Sequence, residues 1–144
     1  QERVLALVQR NRDLVLAGNA AAEDAVLRPR DSGAFPHDLR AAIAARIAAQ
    51  AGETVLATRF AQAAGTLAHV SDPAQHGDVE HAVLVAFVDK AAQATKDVGA
   101  ADIRHLQSAG IADADIVRLC ELVAFVAYQL RVVAGLRLLQ GTQA

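Results

Sequence analysis

The sequence predicts an all-α fold, and three observations support this prediction. Hydrophobic residues make up 53% of the 144 positions but aromatic residues only 3%, and alanine supplies much of the excess. There are only three prolines. An apolar stretch without proline, from Asp113 to about Leu139, predicts a long C-terminal helix. This composition favours closely packed helices over a β-sheet, in a single domain that covers residues 1–144.

Two helices and a connector are predicted at the N-terminus. Gln1–Ala17 has apolar residues at helical spacing and is followed by Gly18. Asn19 can cap a short helix that runs through Val26 and Leu27. The turn-rich sequence RPRDSGAFP then ends regular structure.

Further helices are predicted between this connector and the C-terminal helix. Pro36 suits the first position of a helix, which continues as HDLRAAIAARIAAQ with Leu39, Ile43 and Ile47 on one face. Glycines separate the segments that follow, and HVSDPAQHGD is interpreted as a loop. The remaining predicted helices are ETVLATRFAQA, Val79–Ala94 and Asp102–Ala109.

The C-terminal helix is predicted to organise the chain. Asp113 and Asp115 lie in its first turn, where unpaired backbone N–H groups favour negative charge, and Gly141 offers a stop. At about 100° per residue, polar residues gather on one side of this helix. They are Asp115, Arg118, Glu121, Gln129, Arg137 and Gln140. The opposite, apolar side contains Ile116, Leu119, Val123, Phe125, Val126, Leu130, Val133 and Leu138.

Arg131 breaks this pattern, because it projects from the apolar side roughly in line with Cys120. Its helical neighbours are small and leave space: Ala124, Ala127, Ala134 and Gly135. An unpaired buried guanidinium is very costly, so we expect Arg131 to be buried and bonded to a carboxylate or to carbonyls. The candidate acids are Glu53, Glu80, Asp89 and Glu121. The alternative is that Arg131 anchors an anionic ligand.

Three further side chains are candidates for chemistry. Cys120, the only thiol, could be a peroxidase nucleophile, but its place well beyond the helix N-terminus favours an inert buried residue. Tyr128 is interpreted as a core residue with a bonded hydroxyl rather than a general acid. His37, beside Pro36, is the histidine to look for in a cavity, although a surface role is favoured.

The stretch HVSDPAQHGDVEH collects five potential metal ligands, which are His69, His76, Asp78, Glu80 and His81. His76 and Glu80 have an i, i+4 spacing that can bind a divalent metal if both lie on one helix. However, the nearby proline and glycine place His76 in a loop or at a helix boundary, and the spacing fixes no third ligand. A solvated, capped loop is therefore the preferred interpretation, and no metal site is predicted.

Charge and hydropathy constrain the partners of the chain. A net charge of −2 and a pI near 6.2 argue against nucleic acid or an anionic membrane. The uncharged run Leu122–Leu130 is far shorter than the ~20 residues of a membrane span. A mean hydropathy of +0.24 predicts that apolar surface meets another subunit, so we expect a homo-oligomer. A single cysteine and no evident signal peptide fit the cytoplasm.

A weak internal repeat and a family resemblance complete the prediction. AQAAG at 61–65 and LQSAG at 106–110 share Q-x-A-G, as two related halves would.

The span from about Leu27 to Leu139 resembles the alkylhydroperoxidase D-like, or carboxymuconolactone decarboxylase, family, and especially its peroxidase-related CMD-domain subgroup. The matching pieces are LRP, FPHDLRAAIAARIA, FAQAAG and HLQSAGIADADIVRLCELVAFVAYQLRVVAGLRLL, where the family has a long helix carrying N-Y-x-x-R.

The resemblance implies an all-α fold of two related halves, assembled as trimers or hexamers. Residues 1–30 would be an N-terminal helical extension and residues 31–144 the family core. Active members carry C-x-x-C followed by x-x-x-H, but those slots fall near Gln50, Glu53 and Ala57 in this chain. The glutamate that usually follows Arg40 is replaced by Ala41. Because a thiol peroxidase needs a low-pKa thiolate and a resolving thiol, dithiol chemistry is not expected.

The resemblance implies peroxidase-type activity. Because the dithiol is missing, we do not expect the thiol-dependent reaction of the active members. We expect a divergent member that binds or transforms a small molecule and needs no cofactor. Its predicted ligand-binding residues are Arg131, Arg40 and Glu53, and its catalytic candidates are Arg131, Tyr128, His37 and Cys120. The alternative is a non-catalytic oligomeric helical protein with a binding or structural role, so the sequence leaves open whether the chain is an enzyme.

Overall fold

The computed structural model describes residues 2–4, 6 and 20–139, and these residues form an all-α structure. Residues 2–4, 6 and 20–27 are helical, and no strand occurs within the described ranges. The predicted all-α class with a long C-terminal helix is therefore confirmed. Most of the helix predicted at Gln1–Ala17, and its predicted stop at Gly18, lie outside the described residues.

The helices follow one another with short connections. The helical residues 20–27, here α1, are followed by α2 (His37–Gln50), α3 (Thr54–Ala63), α4 (Ala68–Ser71), α5 (Ala82–Gln93), α6 (Ala100–Ser108) and α7 (Asp113–Leu139). A 3-10 turn, Thr95–Asp97, joins α5 to α6. The short helix α4 lies inside the stretch predicted as a loop. Val70 is fully buried in α4. Its burial stabilises a helical turn that the loop-like composition did not indicate.

The central helix is α2 rather than α7. Every residue from Leu39 to Ala48 is buried, and α2 contacts α3, α4, α5 and α7. Half of these buried residues are alanines, whose small side chains let neighbouring helices approach closely. By contrast, only seven of the 27 residues of α7 are buried. The prediction that the C-terminal helix organises the chain is therefore wrong.

The polar and apolar sides predicted for α7 agree only partly with the burial that the structure shows. Asp115 and Gln129, both predicted on the polar side, are buried, whereas Leu138 of the predicted apolar side is 64% exposed. Asp115 is drawn inward by long-range hydrogen bonding, because its Oδ1 accepts from the backbone N–H of Ala34 at 3.1 Å. Such contacts with distant parts of the chain override the local periodicity.

The two Q-x-A-G segments end their helices in the same way. Ala64 follows α3 and Ala109 follows α6 as C-cap residues, and the next residues, Gly65 and Gly110, have φ angles of +59° and +90°. Glycine adopts this left-handed conformation without the steric strain that a Cβ atom would cause. The similarity of the two segments is thus a shared way of ending a helix.

Candidate functional site

A groove of about 460 Å³ lies between α5, the residues that follow it and α7, and is here termed the α5–α7 groove. Its apolar lining consists of Phe87, Ala91, Val98, Val123, Ala124 and Ala127. Its polar lining consists of Thr95, Cys120 and Arg131. The volume falls within the range of about 300–1,000 Å³ that is typical of small-molecule sites.

The helix α7 places Cys120 and Arg131 at opposite ends of this groove. The two residues are eleven positions apart, which corresponds to about 16 Å along the helix axis at a rise of 1.5 Å per residue. Ala124 and Ala127 lie between them on the same side of the helix, as their spacing predicts. Their small side chains leave the space that forms the groove.

Arg131 is exposed, and no hydrogen bond or ion pair engages its guanidinium within residues 20–139. The prediction of a buried, bonded arginine is therefore wrong. Two of its candidate acids have other partners, because Asp89 pairs with Arg46 and Glu53 pairs with Arg137. An exposed guanidinium stays hydrated, so it avoids the desolvation penalty that made a partner seem necessary.

Cys120 is also exposed, contrary to the prediction that it is buried in the core. Desolvation against the protein and, to a smaller extent, the charge of Glu121 raise the pKa of the Cys120 thiol above its ordinary value. Little thiolate is then present near neutral pH, and the thiolate is the nucleophilic form. Cys120 is thus accessible but poorly suited to attack a peroxide.

Tyr128 and His37, the other two catalytic candidates, lie outside the α5–α7 groove. Tyr128 is 47% exposed, so the prediction of a core tyrosine is wrong, because it lies at i+4 and i−3 spacing on the same side of α7 as the exposed Ala124 and Arg131. His37 is exposed, and its Nε2 lies 2.9 Å from the carbonyl oxygen of Pro29. This contact ties the start of α2 to the preceding connector. The structure therefore does not bring Tyr128 or His37 together with Cys120 in this groove.

Arg40, predicted to bind a ligand, is buried, and each of its three guanidinium nitrogens donates a hydrogen bond. Its guanidinium donates hydrogen bonds to the carbonyl oxygens of Val26 at 2.7 Å, Ser32 at 2.8 Å and Phe35 at 2.7 Å. Burial and then the positive charge of Arg118 lower the pKa of Arg40. Arg40 thus joins α1 and the connector to α2, which gives it a structural role, and its predicted ligand binding stays a prediction.

The positions at which the resemblance would place a dithiol and a histidine hold two hydrogen-bonded polar residues and one alanine. Gln50 donates its Nε2 to Asp89 Oδ1 at 2.8 Å, and Glu53 accepts a hydrogen bond from Arg137 at 2.5 Å. Ala57 packs against the hydrophobic core. The second oxygens of Gln50 and Glu53 are buried and have no hydrogen-bond donor in the described part of the chain. Glu53, also predicted to bind a ligand, thus forms an ion pair with Arg137.

Sequence reasoning missed Arg46, which is a fully buried cation. Its guanidinium donates to both carboxylate oxygens of Asp89, at 2.6 and 2.7 Å. It also donates to the carbonyl oxygens of Val70, Asp72 and Gln75, at distances of 3.1, 2.9 and 2.8 Å. The signal that could have identified it is a single charge within AAIAARIAA, an otherwise apolar stretch of α2.

The structure brings together His69, Asp78 and His81 rather than the considered pair of His76 and Glu80. His69 Nε2 lies 3.1 Å from His81 Nδ1 and 3.4 Å from Asp78 Oδ2, and His81 Nδ1 lies 3.2 Å from Asp78 Oδ1. The backbone N–H of His81 lowers the pKa of Asp78, which keeps this carboxylate ionised. Sequence spacing did not indicate the cluster, because it depends on a return of the chain between α4 and α5.

Comparisons with known proteins add no relatives to this description. No protein-family model matches the sequence, and comparisons with curated proteins and with solved structures found no match. The α5–α7 groove and the histidine cluster therefore rest on their own geometry.

Proposed function

We propose that this protein is a member of the alkylhydroperoxidase D-like family that lacks the dithiol chemistry and binds a small amphipathic acid in the α5–α7 groove. The observation that carries this proposal is the exposed Arg131 guanidinium beside an otherwise largely apolar lining. The acid group would contact Arg131, and its hydrocarbon part would cover the apolar residues between Arg131 and Cys120. The family assignment rests on the sequence resemblance and agrees with the all-α structure.

A carboxylate suits Arg131 for two reasons. The guanidinium presents its N–H groups in a planar fork that can donate to both oxygens of one carboxylate. Within residues 20–139, Arg131 has no hydrogen bond or ion pair that an incoming acid would have to displace. The apolar lining adds affinity for a hydrocarbon chain, since each buried CH₂ group contributes about 0.8 kcal/mol.

The chemistry of the groove favours binding over thiol-dependent peroxide reduction. Cys120 is the only cysteine of the chain, so no second thiol of the same chain can resolve a sulfenic acid. The raised pKa of Cys120 also reduces the thiolate fraction. The peroxidase activity implied by the family resemblance is therefore proposed to be absent, while a ligand-binding groove is retained.

The single thiol offers a direct measurement of groove occupancy. The exposed Cys120 should react with a chromogenic disulfide reagent at alkaline pH, and a bound ligand should slow this reaction by covering the thiol. We expect a medium-chain carboxylic acid to protect Cys120 and to bind in calorimetry more tightly than the alcohol of the same chain length. Equal affinity for the acid and the alcohol, or no binding of either, would contradict the proposal.

Three variants distinguish the contribution of the Arg131 charge to binding from that of the shape of the groove. Arg131→Gln should weaken acid binding about tenfold or more, because a hydrogen bond to a charged group contributes about 1.5–3 kcal/mol, and should leave alcohol binding unchanged. Ala124→Phe should fill the groove and weaken the binding of both ligands. Arg104→Gln is the matched control, since it removes an exposed arginine of α6 outside the groove, and should change neither affinity.

A second candidate function, a non-catalytic oligomeric protein, is favoured by the exposed apolar surface of α7. An 18-residue window of this helix has a mean hydropathy of 1.7 but is only 22% buried. By length and composition such a helix could cross a membrane, although core helices of soluble proteins pass the same test. Glu121 and Arg131 lie on the exposed side, where charges would be unfavourable in lipid. We propose that a second copy of the chain covers this side of α7, in a cytoplasmic homo-oligomer.

A further inference from the structure

Three side chains, one on α4 and two in the connection to α5, bring potential metal-ligand atoms close together. We propose that His69, Asp78 and His81 together bind one Zn²⁺ ion, at a site separate from the α5–α7 groove. One ligand atom from each residue lies within 4.8 Å of the other two. The site goes beyond the proposed binding of an amphipathic acid, and its test does not depend on that function.

The distances between the donor atoms of the three residues are close to those of tetrahedral zinc coordination. The two imidazole nitrogens lie 3.1 Å apart, His81 Nδ1 lies 3.2 Å from Asp78 Oδ1, and His69 Nε2 lies 3.4 Å from Asp78 Oδ2. Zinc binds imidazole nitrogen and carboxylate oxygen at about 2.0–2.2 Å, and a tetrahedron of that size holds its ligands about 3.3 Å apart. An ion that enters the cluster would replace the hydrogen bond between the two imidazole nitrogens and the proton that this bond holds.

The backbone holds the three ligands in place before any ion binds. The N–H of Gly77 donates to the carbonyl oxygen of His69 at 3.0 Å, so the chain returns to α4 immediately before Asp78. The N–H of His81 donates to Asp78 Oδ1 at 2.9 Å and fixes this carboxylate at the start of α5. Ligands that are already positioned lose less conformational freedom when the metal binds.

Gly77 is required for this return of the chain. Its φ angle is +77°, in the left-handed region that favours glycine, and a Cβ atom there would lie 3.1 Å from the carbonyl carbon of His81. The turn therefore brings the backbone of Gly77 close to the residue that supplies the third ligand.

The types of ligand select the kind of metal. Two imidazoles and one carboxylate suit Zn²⁺ and similar transition-metal ions, whereas Ca²⁺ and Mg²⁺ prefer oxygen ligands. The side chains of His69, Asp78 and His81 are 27%, 52% and 15% exposed, so the cluster is reachable from solvent. A water molecule can then supply the fourth position of the tetrahedron.

Titration of the tag-free chain with zinc chloride in a calorimeter tests the site. We expect one Zn²⁺ per chain, a melting temperature that rises with excess Zn²⁺ and a return to the original value with a chelator. Magnesium chloride should give neither binding heat nor stabilisation. Co²⁺ should show the strong visible absorption of tetrahedral coordination, and a spectrum typical of octahedral, aqueous Co²⁺ would overturn the proposal.

Variants of the ligands decide whether any zinc binding belongs to this cluster. His69→Gln and Asp78→Asn should each weaken Zn²⁺ binding at least about tenfold, since the loss of even an outer partner of a metal ligand changes affinity by 10–100-fold. Asp78→Asn keeps an oxygen that can accept the hydrogen bond from His81, so the turn should be retained; circular dichroism checks that both variants fold.

His76→Ala is the matched control, because it removes a histidine of the same connection that is not part of the cluster. It should bind Zn²⁺ like the unaltered chain. Zinc binding that is unchanged in His69→Gln and Asp78→Asn, or equally weakened in His76→Ala, would overturn the proposal, as would an unaltered chain that binds no zinc.

Discussion

The guanidinium of Arg46 and the carboxylate of Asp89 form a bidentate ion pair, with Nε 2.6 Å from Oδ1 and Nη2 2.7 Å from Oδ2. The pair joins the central helix α2 to α5. The Arg46 side chain is only 1% exposed, and its remaining nitrogen donates to carbonyl oxygens around α4. Because Asp89 is the only carboxylate paired with Arg46 in the described part of the chain, the stability of this region depends on it.

Asp89→Ala should strongly destabilise the protein. The substitution leaves a buried guanidinium without its counter-charge, which typically costs about 3–5 kcal/mol in the free energy of unfolding. Urea denaturation followed by circular dichroism measures this loss. Asp97→Ala, which removes an exposed aspartate of the 3-10 turn, is the control and should change stability by no more than about 0.5 kcal/mol. A similar small effect for both variants would show that the pair is unimportant.

Stability should fall as the pH drops below about 4. Burial by itself raises the pKa of Asp89, but hydrogen bonds from Arg46 and Gln50 outweigh it and hold the pKa below its usual value. A carboxylate with a lowered pKa contributes stability above its unfolded-state pKa, and that contribution is lost as the pH falls through the folded-state pKa. Asp89→Asn should therefore show a shallower decline, measured as urea midpoints between pH 7 and 3. Parallel curves for both proteins would contradict this assignment.

Gly33→Ala should destabilise more than Gly65→Ala. Both glycines have left-handed backbones, with φ angles of +57° and +59°, so each substitution carries a strain of about 1–2 kcal/mol. At Gly65 a Cβ atom would meet nothing within 4 Å, but at Gly33 it would lie 2.3 Å from Asp115 Oδ1. Asp115 must then move and lose the hydrogen bond from Ala34, which lowers the free energy of unfolding by about 1 kcal/mol more. Thermal unfolding compares the two variants, and equal losses would rule out this contact.

Peroxide consumption with a thiol reductant should be negligible, and Cys120→Ser should leave any residual rate unchanged. The reason is the raised pKa of Cys120 together with the lack of a second cysteine in the sequence. The same pKa shift predicts that iodoacetamide alkylates Cys120 slowly at pH 7 and faster as the pH rises. A robust turnover that Cys120→Ser abolishes would contradict the prediction of an inert thiol.

Light scattering should show a species larger than 15.1 kDa at micromolar concentration. Val117→Glu should reduce its mass, because Val117 is 56% exposed on α7 and a charge there would oppose burial against a second copy. Val55→Glu is the matched control, since Val55 is 74% exposed on α3, and should not change the mass. A monomeric unaltered chain would contradict the proposed homo-oligomer, and co-sedimentation with liposomes would assign the exposed side of α7 to a membrane.

The sequence by itself predicted α2, α3, α5, α6 and α7 to within three residues of their observed bounds, but it did not predict the short helix α4. The predicted C-terminal helix, Asp113 to about Leu139, coincides with α7, and the glycine stops at Gly65 and Gly110 are both realised. These features depend on capping, charge at the first turn and the conformational freedom of glycine, all of which act within a few residues. The space beside Ala124 and Ala127 could be predicted for the same reason, since it follows from helical spacing within α7.

Only the tertiary structure decided which charged residues are buried and which polar groups meet. Alanine-rich helices tolerate burial on any side, so their periodicity did not distinguish Arg46, which is buried, from Arg131, which is exposed. The choice depends on Asp89, which lies 43 positions from Arg46 and reaches it only after α2 packs on α5. Likewise, His69 and His81 become neighbours because the chain returns through Gly77. Contacts over such separations leave no pattern in the local sequence, because they are set by how the helices pack together.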